Sequence, residues 1–199
     1  MMILITGATG SVGRELTRLL VRDGKQVIAV TRNKEKLAPE TGVTIVEADP
    51  SDPPTLRRAM DRVDATFVSP RAFGTGDAAR AVSELLALAA SAGARRVVAI
   101  SAATVEHGGG YKRFSDAFRA IEDAVKASGM EWAILRCSDF AANTLAWSPQ
   151  IKAAGKVRGP YGNAATSTID ERDVAAVAAR VLTGAALSGQ AYLLTAPLR

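Results

Sequence analysis

A doubly wound α/β fold, a parallel sheet with helices on both faces, is predicted by three features of this sequence. Short apolar segments rich in β-branched residues alternate with helical ones along the whole chain. A loop with regularly spaced glycines joins the first strand to the first helix. No internal repeat or linker-like run interrupts the alternation. At 199 residues the chain is long enough to bury a substantial core. Residues 1–199 are therefore expected to form a single compact domain.

Met2 to Thr6 is the first apolar strand, and Val12 to Asp23 the first helix, which Gly24 closes. Gln26 to Thr31 is the second strand and Val43 to Glu47 a short third. A proline-rich turn then leads to a helix beginning near Pro54, and Ala65 to Ser69 is the fourth strand. Asp77 to Ala92 is a long alanine-rich helix, followed by the strand Arg96 to Ser101, the helix Phe114 to Ser128 and the strand Trp132 to Arg136. Asp170 to Thr183 reads as the last helix and Ala191 to Thr195 as the final strand. Asp170 and Asp173 precede an apolar helix, where N-capping explains them.

Composition narrows the function. The lone cysteine, Cys137, rules out an internal disulfide, and with His107 the only histidine no metal site is expected. Apolar runs far shorter than the ~20 residues that span a bilayer, with no signal-peptide pattern at Met1-Met2-Ile3, predict a cytoplasmic protein without a membrane partner. The net charge of +5 is dispersed among 20 acidic residues without a basic run, which argues against nucleic acid. A modest positive field still favours an anionic ligand.

Such a ligand has an obvious seat. Gly7-Ala8-Thr9-Gly10-Ser11-Val12-Gly13 stands between the first strand and the first helix, where a Rossmann-type fold places a dinucleotide pyrophosphate. Gly7 allows the tight turn, Gly10 removes a side chain that would block the phosphates, and Gly13 lets the helix pack closely. Backbone N–H groups at the helix start then face the anion. Folds that prefer NAD end the second strand with a carboxylate for the ribose hydroxyls, but here Val30 is followed by Thr31, Arg32, Asn33 and Lys34. Arg32 suits a 2′-phosphate and Thr31 or Asn33 can add neutral hydrogen bonds, so NADP(H) is expected ahead of NAD; a solvated basic turn is the alternative.

The GATGSVG loop, VTRNKEKL, EADPSDPPTL, FVSP, RRVVAISAA and SGMEWAILRCSDF stand in the order found in the NmrA-like branch of the atypical short-chain dehydrogenases. Gly159-Pro160-Tyr161-Gly162 and Ile169-Asp170-Glu171-Arg172-Asp173-Val174-Ala175 extend the match, and the chain resembles that family along nearly its whole length. The resemblance implies adenine contacts around Asp49 and Pro50, ribose or nicotinamide contacts around Ser69 and Pro70, and nicotinamide-side contacts at Ser101 and Cys137. Cys137 stands where relatives usually carry proline. Asn143, Trp147 and Tyr161 are placed on the substrate side by the same analogy. Members of the family generally continue past the strand equivalent to Ala191–Thr195 with a segment that caps the substrate. This chain stops at Arg199, so a Rossmann domain lacking that cap is expected, its pocket open or closed by a partner subunit. In size it is closer to the short flavin and biliverdin reductases, and a homodimer is a further expectation.

Typical short-chain dehydrogenases transfer a proton with a Tyr and a Lys four residues later. Alignment on Glu122 and Ser128-Gly129 puts Phe114 and Phe118 at those positions, and neither can transfer a proton. With Ile121 and Val125 they form an apolar stripe at helical spacing, read as core packing. Tyr111 lies one helical step earlier, after Gly108-Gly109-Gly110, as a catalytic candidate or a loop aromatic. Ser101, at the carboxyl end of its strand, is either the hydroxyl that bonds substrate or nicotinamide or a cap for the next loop. Cys137 reads as a small buried hydrophobe rather than a nucleophile. The His107–glycine segment has no G-x-S-x-G partner, so esterase chemistry is set aside.

Three functions fit. The first is an NADPH-dependent reductase passing hydride to an aromatic small molecule, quinone- or flavin-like, with the proton from solvent. The second is a non-catalytic NADP(H) sensor of the NmrA kind. The third is a natural-product pathway enzyme using the same pocket.

Overall fold

The computed structural model describes residues 1–74, 76–107, 112–159, 166–184 and 187–196. Its strands are β1 (Met2–Thr6), β2 (Gln26–Thr31), β3 (Val43–Glu47), β4 (Ala65–Val68), β5 (Arg96–Ala102), β6 (Glu131–Cys137) and β7 (Gln190–Leu194). The helices are α1 (Ser11–Arg22), α2 (Ala78–Ser91), α3 (Thr104–His107), α4 (Lys112–Lys126), α5 (Ser148–Ala154) and α6 (Glu171–Thr183). All strand pairs are parallel and the sheet runs β3-β2-β1-β4-β5-β6-β7. This is the doubly wound Rossmann arrangement the alternation predicts.

Period-two alternation splits the core between the two faces of the sheet. Ile3, Ile5, Val27, Ala29, Phe67 and Leu135 lie on the side covered by α1 and α6. Leu4, Ile28, Val68, Val97 and Ile134 lie on the side covered by α2, α4 and the segment Pro53–Ala59. Central strands buried on both faces read as continuous apolar runs for this reason.

Four local features differ from expectation. The helix expected near Pro54 is a short 3-10 run, Pro53–Ala59. Paired prolines explain it, because Pro54 disfavours α geometry at Pro53 and neither ring has an N–H to donate. The short helix α3, a 3-10 turn at Ala141–Trp147 and α5 also escape the periodicity, being only one or two turns long. Pro149 in the first turn of α5 is the one sequence signal that marks its start.

Strand order reverses between β1 and β4, which opens a crevice beyond their carboxyl ends. Buried Thr6 clamps that point. Its hydroxyl donates to the Phe67 carbonyl at 3.1 Å and accepts the Ser69 N–H at 2.9 Å, joining positions more than sixty residues apart. Thr6→Val keeps the shape but removes both hydrogen bonds. The expected cost is about 1–3 kcal/mol of unfolding free energy, read by urea denaturation; an unchanged midpoint would show that the clamp carries no stability.

Candidate dinucleotide site

The turn after β1 is built by close approach. Gly7 has φ +71°, and a Cβ there would stand 2.9 Å from the Ser69 Cβ. A Cβ on Gly13 would lie 2.2 Å from the Gly7 carbonyl oxygen, so the helix can begin directly over the loop only with glycine here. Gly10 differs from both. It is exposed, its N–H donates to the Gly7 carbonyl at 2.9 Å, and an added Cβ would meet only that oxygen, at 3.2 Å. Packing therefore demands Gly7 and Gly13, while Gly10 keeps the outer face of the turn open.

Helix α1 starts at Ser11 with no side-chain cap from Gly10 and no acidic residue in its first turn. The N–H groups of a first helical turn have no partner within the helix, and the helix dipole adds to their pull on an anion. Ser11 is exposed and Thr9 half-buried, so both hydroxyls lie at the opening; the Val12 side chain is buried in the core, leaving only its main chain for a ligand. A cavity of about 410 Å³ beside the start of α1 is lined by Ser11, Arg14, Thr144 and Arg172, with Glu15, Asp170 and Glu171 on its wall as well. A pyrophosphate fits this cradle: open glycine face, uncapped N–H groups and no competing carboxylate in the turn.

The ends of β2 and β3 form one flank. Arg32 is exposed at the end of β2, while the Thr31 hydroxyl is turned inward, donating to the Asn33 carbonyl at 3.0 Å and accepting the Asn33 N–H at 3.2 Å. Asn33 caps the next turn through the Glu35 N–H at 2.9 Å. Both neutral groups expected to help Arg32 are thus engaged locally. Asp49 follows β3, half-buried, with Pro50 buried behind it. The Ser51 backbone N–H, the Ser51 hydroxyl and the charge of Arg32 outweigh burial and hold the Asp49 carboxyl below its usual range. Arg32 and Asp49 are brought to the same rim.

Strands β4, β5 and β6 form the other flank. Ser69 is half-buried against Gly7, and Pro70, buried, opens a 3-10 turn. Ser101 is buried near the end of β5, and its hydroxyl donates to Glu122 Oε1 at 2.7 Å. Glu122 is 2% exposed on α4 and accepts from Arg136 Nε at 2.9 Å, Arg136 Nη2 at 2.8 Å and Lys126 Nζ at 3.3 Å. Arg136 also donates to Glu106 on α3 at 3.1 Å. Burial alone would raise the Glu122 carboxyl pKa, but the hydrogen bonds from Arg136 and Ser101, the Arg136 charge and Lys126 hold it below the usual range.

This cluster was not singled out from the sequence. Two signals were present: a glutamate beside Ile121 in the apolar stripe of α4, and an arginine within the apolar strand β6. The stripe itself divides. Ile121 and Val125 are buried as expected, but Phe114 is 50% exposed and packs its ring on Phe118 at 4.8 Å between centroids. Core packing is therefore the wrong reading for Phe114, whose ring meets Phe118 and solvent. Exposed Leu145, Trp147 and Ile151 add apolar surface on the 141–151 segment after β6. Asn143 in that segment donates to Asp139 at 2.5 Å. Tyr111 and Tyr161 lie outside the described residues.

Asp170 caps α6 through the Arg172 N–H at 2.8 Å and pairs with the Arg172 side chain, which takes its pKa down to about 2. Among the described residues no group of three or more His, Cys, Asp or Glu side chains is placed to hold a metal ion, and no helix is long and apolar enough to cross a membrane.

Fold and cradle together define a dinucleotide-binding protein of the doubly wound α/β class. The chain belongs to the NAD(P)H-binding family, whose sequence profile matches residues 7–185, and so stands among the NAD(P)H-dependent oxidoreductases of the atypical short-chain dehydrogenase group. It is 40% identical over 197 residues, 98% of this chain and 68% of the other, to the (4-alkanoyl-5-oxo-2,5-dihydrofuran-3-yl)methyl phosphate reductase of Streptomyces griseus. The NAD(P)H azoreductase of Xenophilus azovorans is 30% identical over 198 residues, 98% and 68% of the two chains. The NADPH-dependent quinone oxidoreductase of Escherichia coli, solved with NADPH, superposes with a TM-score of 0.83 at 26% identity, covering 98% of this chain and 69% of that one. The chain thus spans about two thirds of the length of these relatives.

Cys137 is 5% exposed, and burial pushes its thiol up to about 12. It is therefore a protonated, shielded thiol at neutral pH. Iodoacetamide at pH 8 is expected to leave the folded protein unmodified and to label Cys137 once guanidinium unfolds it, as read by mass spectrometry; rapid labelling of the folded protein would contradict this burial.

Proposed function

We propose that this protein is an NADPH-dependent reductase that delivers hydride to an electron-poor conjugated acceptor, such as a quinone, a flavin or a comparable polycyclic aromatic ring. The observation that carries the reading is the state of the catalytic positions. Where a short-chain dehydrogenase holds its Tyr and Lys, this chain has Phe114 and Phe118 in ring contact, and the nearby Ser101 proton is given to Glu122. Reduction of a simple ketone builds charge on an alkoxide and needs an acid beside it. A conjugated acceptor spreads the incoming electron pair over its π system, and the proton that completes the two-electron reduction comes from solvent.

When bound, the reduced nicotinamide supplies the hydride. The protein's own part is to bind and orient: the Gly7–Gly13 turn and the start of α1 hold the pyrophosphate, Arg32 faces the 2′-phosphate, and the exposed Phe114 ring offers a flat apolar surface for the acceptor. The compounds that the relatives are named for reducing support this chemistry. Quinones, azo compounds and an acyl-substituted dihydrofuranone all present a polarised double bond conjugated with further unsaturation.

Two experiments test the proposal. NADPH is expected to bind and to be oxidised, followed at its absorbance maximum, when a quinone, a flavin or an acyl butenolide is added; binding with no oxidation across that panel would replace the reductase by a sensor. Arg32→Ala is expected to weaken NADPH by about 1.5–3 kcal/mol, the range for hydrogen bonds to a charged group, with little change for NADH. Equal loss for the two cofactors in calorimetric titration would remove Arg32 as the phosphate selector.

A further inference from the structure

Glu122 does more than tie α4 to the sheet. Its two oxygens accept four hydrogen bonds: Ser101 Oγ and Arg136 Nε on Oε1, Arg136 Nη2 and Lys126 Nζ on Oε2. A buried carboxylate held this way by a two-pronged guanidinium and a lysine is ionised, and an ionised carboxylate only accepts. A serine hydroxyl has a single proton. Because Ser101 gives that proton to Glu122, its oxygen offers lone pairs to any other partner.

The position of Ser101 makes this matter. It lies opposite Arg136 in the β5–β6 register, near the carboxyl ends of both strands. Arg32 and Asp49 end the strands on one side of the switch point; β4, β5 and β6 end on the other. A dinucleotide seated by its pyrophosphate on the turn after β1 therefore sends its adenine half toward Arg32 and its nicotinamide half toward Ser69 and Ser101.

We infer that Glu122 sets the hydrogen-bond polarity of Ser101, making it a lone-pair acceptor that reads the carboxamide N–H of the nicotinamide and disfavours a carbonyl oxygen there. Ser101 is then a specificity residue and Glu122 a positioning residue acting through it. The inference deepens the dinucleotide reading of the crevice and rests on it. It reverses the role that a strand-end serine is expected to play, since a serine with a free proton would donate to a carbonyl.

The test compares NADP⁺ with its 3-acetylpyridine analogue, which keeps the carbonyl and lacks the N–H, by calorimetric titration of the wild type, Ser101→Ala and Glu122→Gln. The wild type is expected to prefer NADP⁺ by about fivefold to tenfold, the weight of one neutral hydrogen bond. Ser101→Ala leaves the Glu122–Arg136 pair in place and is expected to bring the two affinities within about twofold, because no oxygen remains to read the difference. Glu122→Gln, if it folds and turns its amide N–H toward Ser101, frees the Ser101 proton and is expected to move the preference toward the acetyl analogue; Ser101→Ala decides the matter otherwise. Equal affinities in the wild type, or a preference that survives Ser101→Ala, would overturn the inference while leaving the crevice a dinucleotide site. Failure of both dinucleotides to bind the wild type would overturn the site itself.

Discussion

The close approach of Gly13 to the Gly7 carbonyl is the constraint on which the site depends. With 2.2 Å between that oxygen and the place of a Cβ, α1 can begin directly over the end of β1 only because position 13 has no side chain. That placement aims the uncapped first-turn N–H groups into the crevice rather than at bulk solvent. The same turn touches Ser69, and Thr6 clamps Ser69 from below, so β1, β4 and α1 meet at a single rigid point. An anion bound there needs little rearrangement, and the two halves of a dinucleotide are directed by the strand order on either side.

Charge is handled differently on the two flanks. On the β2–β3 side Arg32 stands exposed beside Asp49, available to a phosphate in solvent. On the β5–β6 side buried Glu122 pairs with half-buried Arg136, and exposed Glu106 and Lys126 extend the set across α3, α4 and β6. Breaking one member of such a buried set strands its partner, which costs more than the pair contributes when intact. The network therefore locks the protonation pattern around Ser101 as well as the packing. The proposed conjugated acceptor, with solvent as the acid, rests on phenylalanines at the relay positions and on the exposed apolar surface at Phe114, Leu145 and Trp147.

Much was legible from local pattern. Strand and helix alternation, the glycine turn, the absence of a carboxylate after Val30 and the cap at Asp170 are set by periodicity and backbone sterics within a few residues. Where local rules conflicted the reading slipped: paired prolines turned the expected helix near Pro54 into a 3-10 run, and helices of one or two turns are too short for a period to show.

By itself, then, the sequence determined the doubly wound sheet and the glycine turn proposed to hold the anion, since both follow from residue spacing along the chain. Tertiary structure alone decided what each polar group at the site is free to do. Ser101 and Glu122 are 21 residues apart, and Glu122 and Arg136 are 14 apart, so the fate of the Ser101 proton depends on how α4 lies against β5 and β6. The Thr31 hydroxyl, turned back into its own loop, and the Phe114 ring, half exposed against Phe118, are of the same kind. A side chain's type states which hydrogen bonds it can make, and only the packing around it states which of them are already made.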